Sequence, residues 1–130
     1  MEKDWSPFNF ITNPMADVVQ KFRKLCLEYP ESTETDSFGH PNFRAGKKTF
    51  AVVEWYRDRP SFGFRVGADN ADMYLLQDDG FFATPYGRGQ WVSIWVDNKP
   101  DWQLVQDLLD QSYRSVALKR MLSALDNQNR

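Results

Sequence analysis

Thr49-Phe50-Ala51-Val52-Val53-Glu54-Trp55-Tyr56, then Asp58-Arg59-Pro60-Ser61, then Phe62-Gly63-Phe64-Arg65-Val66: this stretch decides the fold. The first run is β-branched or aromatic at Phe50, Val52, Val53, Trp55 and Tyr56, the composition that suits a pleated, half-buried surface. Asp58 to Ser61 is turn chemistry. Phe62, Phe64 and Val66 then alternate with Gly63 and Arg65, the period of a strand with one buried face. An antiparallel hairpin is therefore expected at the centre of the chain.

Working outward, Thr33 to Phe38 reads as a short Thr-rich strand and Gly39-His40-Pro41-Asn42 as a loop. Phe43 to Ala45 reads as a strand entering a turn at Gly46-Lys47. Downstream, Val92, Ile94 and Val96 share one face of a strand, and Trp91, Ser93, Trp95 and Asp97 share the other. Asp69 or Asn70 is expected to cap a short helix over residues 69–77, with Met73, Leu75 and Leu76 as its apolar side. Gln77 to Gly80 reads as a turn, and Phe81-Phe82 opens an irregular stretch.

Both ends are helical. Asn13-Pro14 is a cap followed by a good first helical residue, and Met15, Val18, Val19, Phe22, Leu25, Cys26 and Tyr29 trace one helical stripe up to Pro30. After Pro100, Trp102, Val105, Leu108 and Leu109 form a second stripe. Tyr113, Val116, Ala117, Arg120 and Met121 continue on one side past a break or cap at Ser112. The expected class is α+β: an antiparallel sheet of about five strands with N-terminal and C-terminal helices packed on one side.

With 130 residues, 42% of them hydrophobic and 15% aromatic, the chain suits one domain with a real core. Residues 1–12 read as an irregular arm carrying Trp5, Phe8 and Phe10, 13–126 as a single domain, and 127–130 as a polar tail. No apolar run approaches the roughly 18 residues of a membrane span, so no membrane partner is expected. One cysteine, Cys26, and the lack of an apolar leader lead to the expectation of a cytoplasmic protein.

The net charge of −2 is unevenly distributed. Residues 43–67 carry a net +4, from Arg44, Lys47, Lys48, Arg57, Arg59 and Arg65 against Glu54 and Asp58, between flanks of −3 each. Such a segment is either a solvated face or a patch that steers an anionic partner. Its cations interleave with rings, as in Trp55-Tyr56-Arg57, a pairing able to stack bases while contacting phosphates. Lys47 and Lys48 flank one expected hairpin tip and Arg57 and Arg59 another, as a pair of neighbouring wings. A small-ligand loop around Tyr86, Arg88 and His40 is a further candidate. One His and one Cys give no metal centre, and no nucleophile, base and orienting group can be assembled. The expectation is a non-catalytic protein without a cofactor.

The segments Gly39-x-Pro41-x-Phe43-Arg44, Lys48-x-Phe50-Ala51, Pro85-Tyr86-Gly87, Gly89-x-Trp91-Val92 and Ser112-Tyr113 together resemble the MmcQ/YjbR family over about residues 15–125. The resemblance implies a CyaY-like α+β fold and a DNA-binding role through a double wing. Arg44 and Lys48 are the matched positions suited to contacting a ligand. DNA binding is expected to be weak and salt-sensitive. The alternative is an interaction module or homodimer, using exposed aromatics to contact itself or another protein.

Overall fold

The computed structural model describes residues 16–37, 39–56, 59–77, 80–85, 88–96 and 99–128. The expected arm and the Asn13-Pro14 cap lie outside them. The elements are, in chain order, α1 (Ala16–Leu27), β1 (Ser32–Ser37), β2 (His40–Ala45), β3 (Lys48–Tyr56), β4 (Arg59–Arg65), α2 (Ala68–Gln77), β5 (Phe81–Ala83), β6 (Trp91–Trp95), α3 (Trp102–Val116) and α4 (Lys119–Gln128). The six strands form one antiparallel sheet in the order β1-β2-β3-β4-β6-β5. No described helix is long and apolar enough to cross a membrane.

The register decides which side chains meet. Ala51 pairs with Phe64, and Phe64 with Val92. Val53 pairs with Phe62, and Phe62 with Ile94. These residues share one face and are buried there with Phe43. The pairing of β2 with β3 slips between Phe43 and Arg44, leaving Phe50 as the extra residue of a bulge. A bulge sends two consecutive side chains toward one side, so Phe50 and Ala51 both enter the core.

α1, α3 and α4 bury their stripes on that face, and α2 buries Ala71 there. Phe22 of α1 stacks on Phe62 at 3.8 Å and meets Phe43 and Phe64 edge-on, each at 5.9 Å. A fully buried phenylalanine contributes about 2–3 kcal/mol, so this contact alone anchors α1 over the middle of the sheet. Asp101 caps α3 by accepting from the Leu104 N–H at 3.1 Å. Val105, Leu108, Leu109, Ser112, Tyr113 and Val116 then form its buried stripe. The Tyr113 ring lies against Tyr29 and Phe50, and its hydroxyl donates to the Pro30 carbonyl at 2.7 Å. That bond ties the end of the first connection to the last helical layer.

Several expectations need correction. The sheet has six strands rather than five, because Phe81 to Ala83 add a short edge strand. His40 to Asn42 belong to β2 rather than to a loop; Pro41 is tolerated because β2 pairs there with β1 alone. On α2, Ala71 is buried and Tyr74 packs on Phe81, so Met73, Leu75 and Leu76 face outward instead of inward. Asp69 and Asn70 lie inside that helix, whose first turn is closed by the Ala71 N–H on the Gly67 carbonyl. The break between the last helices falls at Ala117-Leu118; Ser112 is buried mid-helix. The expected polar tail is helical as far as Gln128.

Two adjacent residues should behave oppositely. Tyr113→Phe removes a buried hydrogen bond and should lower stability by about 1–2 kcal/mol. Ser112→Ala deletes a buried hydroxyl that has no partner, so it should leave stability unchanged or raise it. Urea unfolding midpoints decide, and a loss of more than about 1 kcal/mol for Ser112→Ala contradicts this account. Gly63→Ala would set a Cβ 2.8 Å from Val52 Cγ2. Overpacking against that stiff, buried side chain should cost about 1–3 kcal/mol in the same assay. A change within about 0.5 kcal/mol would show that the strand yields freely there.

Candidate functional site

Strand alternation puts a second set of side chains on the face opposite the helices. Val52 pairs with Gly63, Gly63 with Ser93, and Ser93 with Phe82. Glu54 pairs with Ser61, and Ser61 with Trp95; Tyr56 pairs with Arg59, and Arg65 with Trp91. No described helix covers this face. Its middle is nevertheless closed to solvent: Val52, Ser61, Gly63 and Ser93 are buried, and Thr84 and Ser93 share a hydrogen bond of 2.6 Å there.

One end of the sheet is cationic. Arg44 closes β2, Lys47 sits in the following turn, Lys48 opens β3 and Arg65 closes β4. Arg65 donates to Gln90 Oε1 at 3.0 and 3.3 Å, which holds the β5–β6 loop, with Arg88, at the same end. Arg88 adopts φ 50°, so the loop turns sharply at Arg88-Gly89 before β6 starts. A Cβ placed on Gly46 would lie 3.5 and 3.9 Å from Met121 and Leu118, so the α3–α4 junction delivers Lys119 there too. Among the described residues, none of Arg44, Lys47, Lys48, Arg65, Arg88 and Lys119 forms an ion pair. By contrast, Arg23 is paired with Glu34, Arg114 with Asp110 and Asp126, and Arg120 with Glu31.

The other end is aromatic. Trp95 stacks on Phe82 at 4.4 Å, and Tyr56 meets both rings edge-on at about 6 Å. The Arg59 guanidinium lies 4.1 Å from the Trp95 ring centre. An exposed cation–π contact of this kind is worth about 0.5–1 kcal/mol. His40 Nδ1 lies 3.6 Å from Glu54 Oε2. Burial pushes the Glu54 carboxyl above its ordinary value, and the imidazole opposes that shift. Burial, and then Glu54, push the Tyr56 hydroxyl up as well. That hydroxyl is shielded and has no hydrogen-bond partner.

The sequence candidates thus divide. Arg44, Lys47, Lys48, Arg65 and Arg88 come together; Arg59, Tyr56 and His40 lie at the far end; Arg57 and Tyr86 fall outside the described residues. The two hairpin tips are not side by side. One follows from the Lys48 end of β3 and the other from its Tyr56 end, and the nine residues of that strand hold those ends roughly 26 Å apart. Trp55 faces the helices and packs on the core, so it is unavailable for stacking. Sequence reasoning missed Lys119, which lies far from the other cations in the chain, and Phe82, whose strand has only three residues.

The helical side has a different character. A groove of about 410 Å³ runs between α1, α3 and α4, floored by Leu25, Leu109 and Leu125 and edged by Glu28, Asp107 and Asp110. Cys26 is fully buried beside it, and burial pushes its thiol far up, as befits a small packing residue. Among the described residues no three His, Cys, Asp or Glu side chains are grouped to hold a metal ion.

The architecture is similar to the crystal structure of Deinococcus radiodurans protein DR2400, described with the family-model domain DUF419. The TM-score is 0.64 at 22% identity, covering 78% of this chain and 79% of that one. No curated protein matches the chain. The YjbR family model matches residues 27–115, which takes in every strand, α2 and nearly all of α3. The chain belongs to the YjbR family.

Proposed function

We propose that this YjbR-family protein binds nucleic acid without catalysing a reaction, through the cationic end and the helix-free face of its sheet. The observation that carries this reading is the gathering at one end of the sheet of Arg44, Lys47, Lys48, Arg65, Arg88 and Lys119, none of them in an ion pair among the described residues. Unpaired cations are what phosphates recognise, and they supply most of the affinity of a sequence-independent binder. The acidic groove on the helical side repels a polyanion, so the molecule presents its sheet end first. The net charge of −2 keeps the affinity modest. This reading includes a cytoplasmic location, supported by the lone cysteine, which suits a reducing compartment.

A second reading, contact with another protein or with itself, is favoured by α2. Its Met73, Leu75 and Leu76 face solvent, Leu76 at 88% exposure. Large exposed apolar patches mark interfaces. Light scattering tests it: a concentration-dependent dimer that Leu76→Asp abolishes supports self-association, and a monomer at all concentrations removes it.

The nucleic-acid reading is tested by titrating labelled strands at several salt concentrations. With about three or four phosphate contacts, the log–log slope should lie near −3 to −4 on duplex and about −2 to −3 on single strands. Arg44→Glu/Lys48→Glu changes two exposed side chains and should weaken binding by about tenfold or more while flattening the slope. Equal binding by wild type and variant overturns the proposal, as does no binding by either below about 50 μM at low salt.

A further inference from the structure

Cations alone do not distinguish a duplex from a single strand; the rings on the same face do. Trp95 on β6 stands between Phe82 on β5 and Arg59 on β4, the two strands that flank it. It is 36% exposed, and Arg59 holds no carboxylate among the described residues. The Tyr56 hydroxyl beside them lacks a hydrogen-bond partner. The cluster therefore offers a stacking surface and an exposed cation at one place.

Resting on the nucleic-acid reading, we infer that the occupant is a single strand, with one unpaired base received between Arg59 and Trp95. Arg59 holds the ring in the free protein. When a base arrives, the guanidinium leaves the ring for the base plane or the adjacent phosphate, so no cation–π contact is lost without a replacement. From Arg59 to Arg65, β4 spans about 20 Å with a buried middle, so the base site and the cations at the far end are two separate contacts, joined by a strand that passes over the closed centre of the face. Glu54 lies on the same cross-strand row as Trp95, so it keeps phosphates off that row and leaves it to the base. A duplex keeps its base faces stacked inside and cannot use the Trp95 site, whereas single strands present them to aromatic side chains.

Three labelled probes of about eight nucleotides, within the usual site size, decide the matter by fluorescence anisotropy: oligo(dT), an abasic strand with the same phosphates, and a duplex. The expected result is oligo(dT) bound about tenfold or more tighter than either of the others. Trp95→Leu should weaken oligo(dT) by about 5- to 100-fold and leave the abasic strand unchanged. Trp95→Phe, which keeps a ring, should retain most of the preference and guards against a folding defect in the leucine variant. Equal affinity for oligo(dT) and the abasic strand, or a preference for duplex, overturns the inference. If those probes still respond to Arg44→Glu/Lys48→Glu, the nucleic-acid reading survives that loss; binding of no probe removes both.

Discussion

The pairing of Ala51 with Phe64, and of Phe64 with Val92, is the constraint on which the rest of the molecule depends. A slip of one residue would turn Phe62, Phe64, Val92 and Ile94 away from Phe22 and expose them. It would also carry Gly63, Ser93 and Trp95 under the helices. One register therefore sets both the core and the composition of the outer face. The bulge at Phe50 lets the β2–β3 pair satisfy this constraint with two adjacent apolar residues in the core. Arg44 and Arg65 come to the same side and the same end because each follows a core residue, Phe43 or Phe64, on the row of Ala51.

The parts of the fold legible in the sequence are those whose periodicity is long and whose burial is one-sided. α1 and α3 declare themselves by stripes that the structure buries, Val18, Val19, Phe22 and Cys26 in one, with Leu25 half-buried, and Val105, Leu108, Leu109, Tyr113 and Val116 in the other. β6 shows its aliphatic and aromatic sides over only five residues, because one side is fully covered. α2 misleads for the opposite reason. It is anchored by a small residue, Ala71, and by Tyr74, so its most hydrophobic side chains are the ones left outside. A three-residue edge strand, β5, is shorter than any period-two pattern can establish.

The candidate site was legible in its residues more than in its geometry. Local charge counting finds Arg44, Lys47, Lys48, Arg59 and Arg65 because they are close in sequence, and then places Arg59 with the wrong group. In an antiparallel meander successive turns alternate between ends, so nearness along the chain separates tips in space. Arg88 and Lys119 join the cationic end through contacts between distant segments, the Arg65–Gln90 bonds and the packing of Leu118 and Met121 near Gly46. Such contacts leave no trace in composition.

The centre of the outer face serves stability. Ser61, Gly63 and Ser93 lie between the large rings of Trp91 and Trp95. All three are buried, and their small volume lets the side chains around them close over the middle of that face. Gly63 is held to this role by packing, since Val52 and the edge of Trp91 already occupy the space around it. Ser93 is held to it by its bond to Thr84, which satisfies a hydroxyl that would otherwise be buried alone. The centre of the outer face is thus close-packed like the core beneath it. The exposed groups of that face, Arg44, Arg59 and Trp95, stand on a floor that packing fixes, so the partner proposed above would order few side chains there and lose little conformational entropy, which is the condition under which modest electrostatics yields useful affinity.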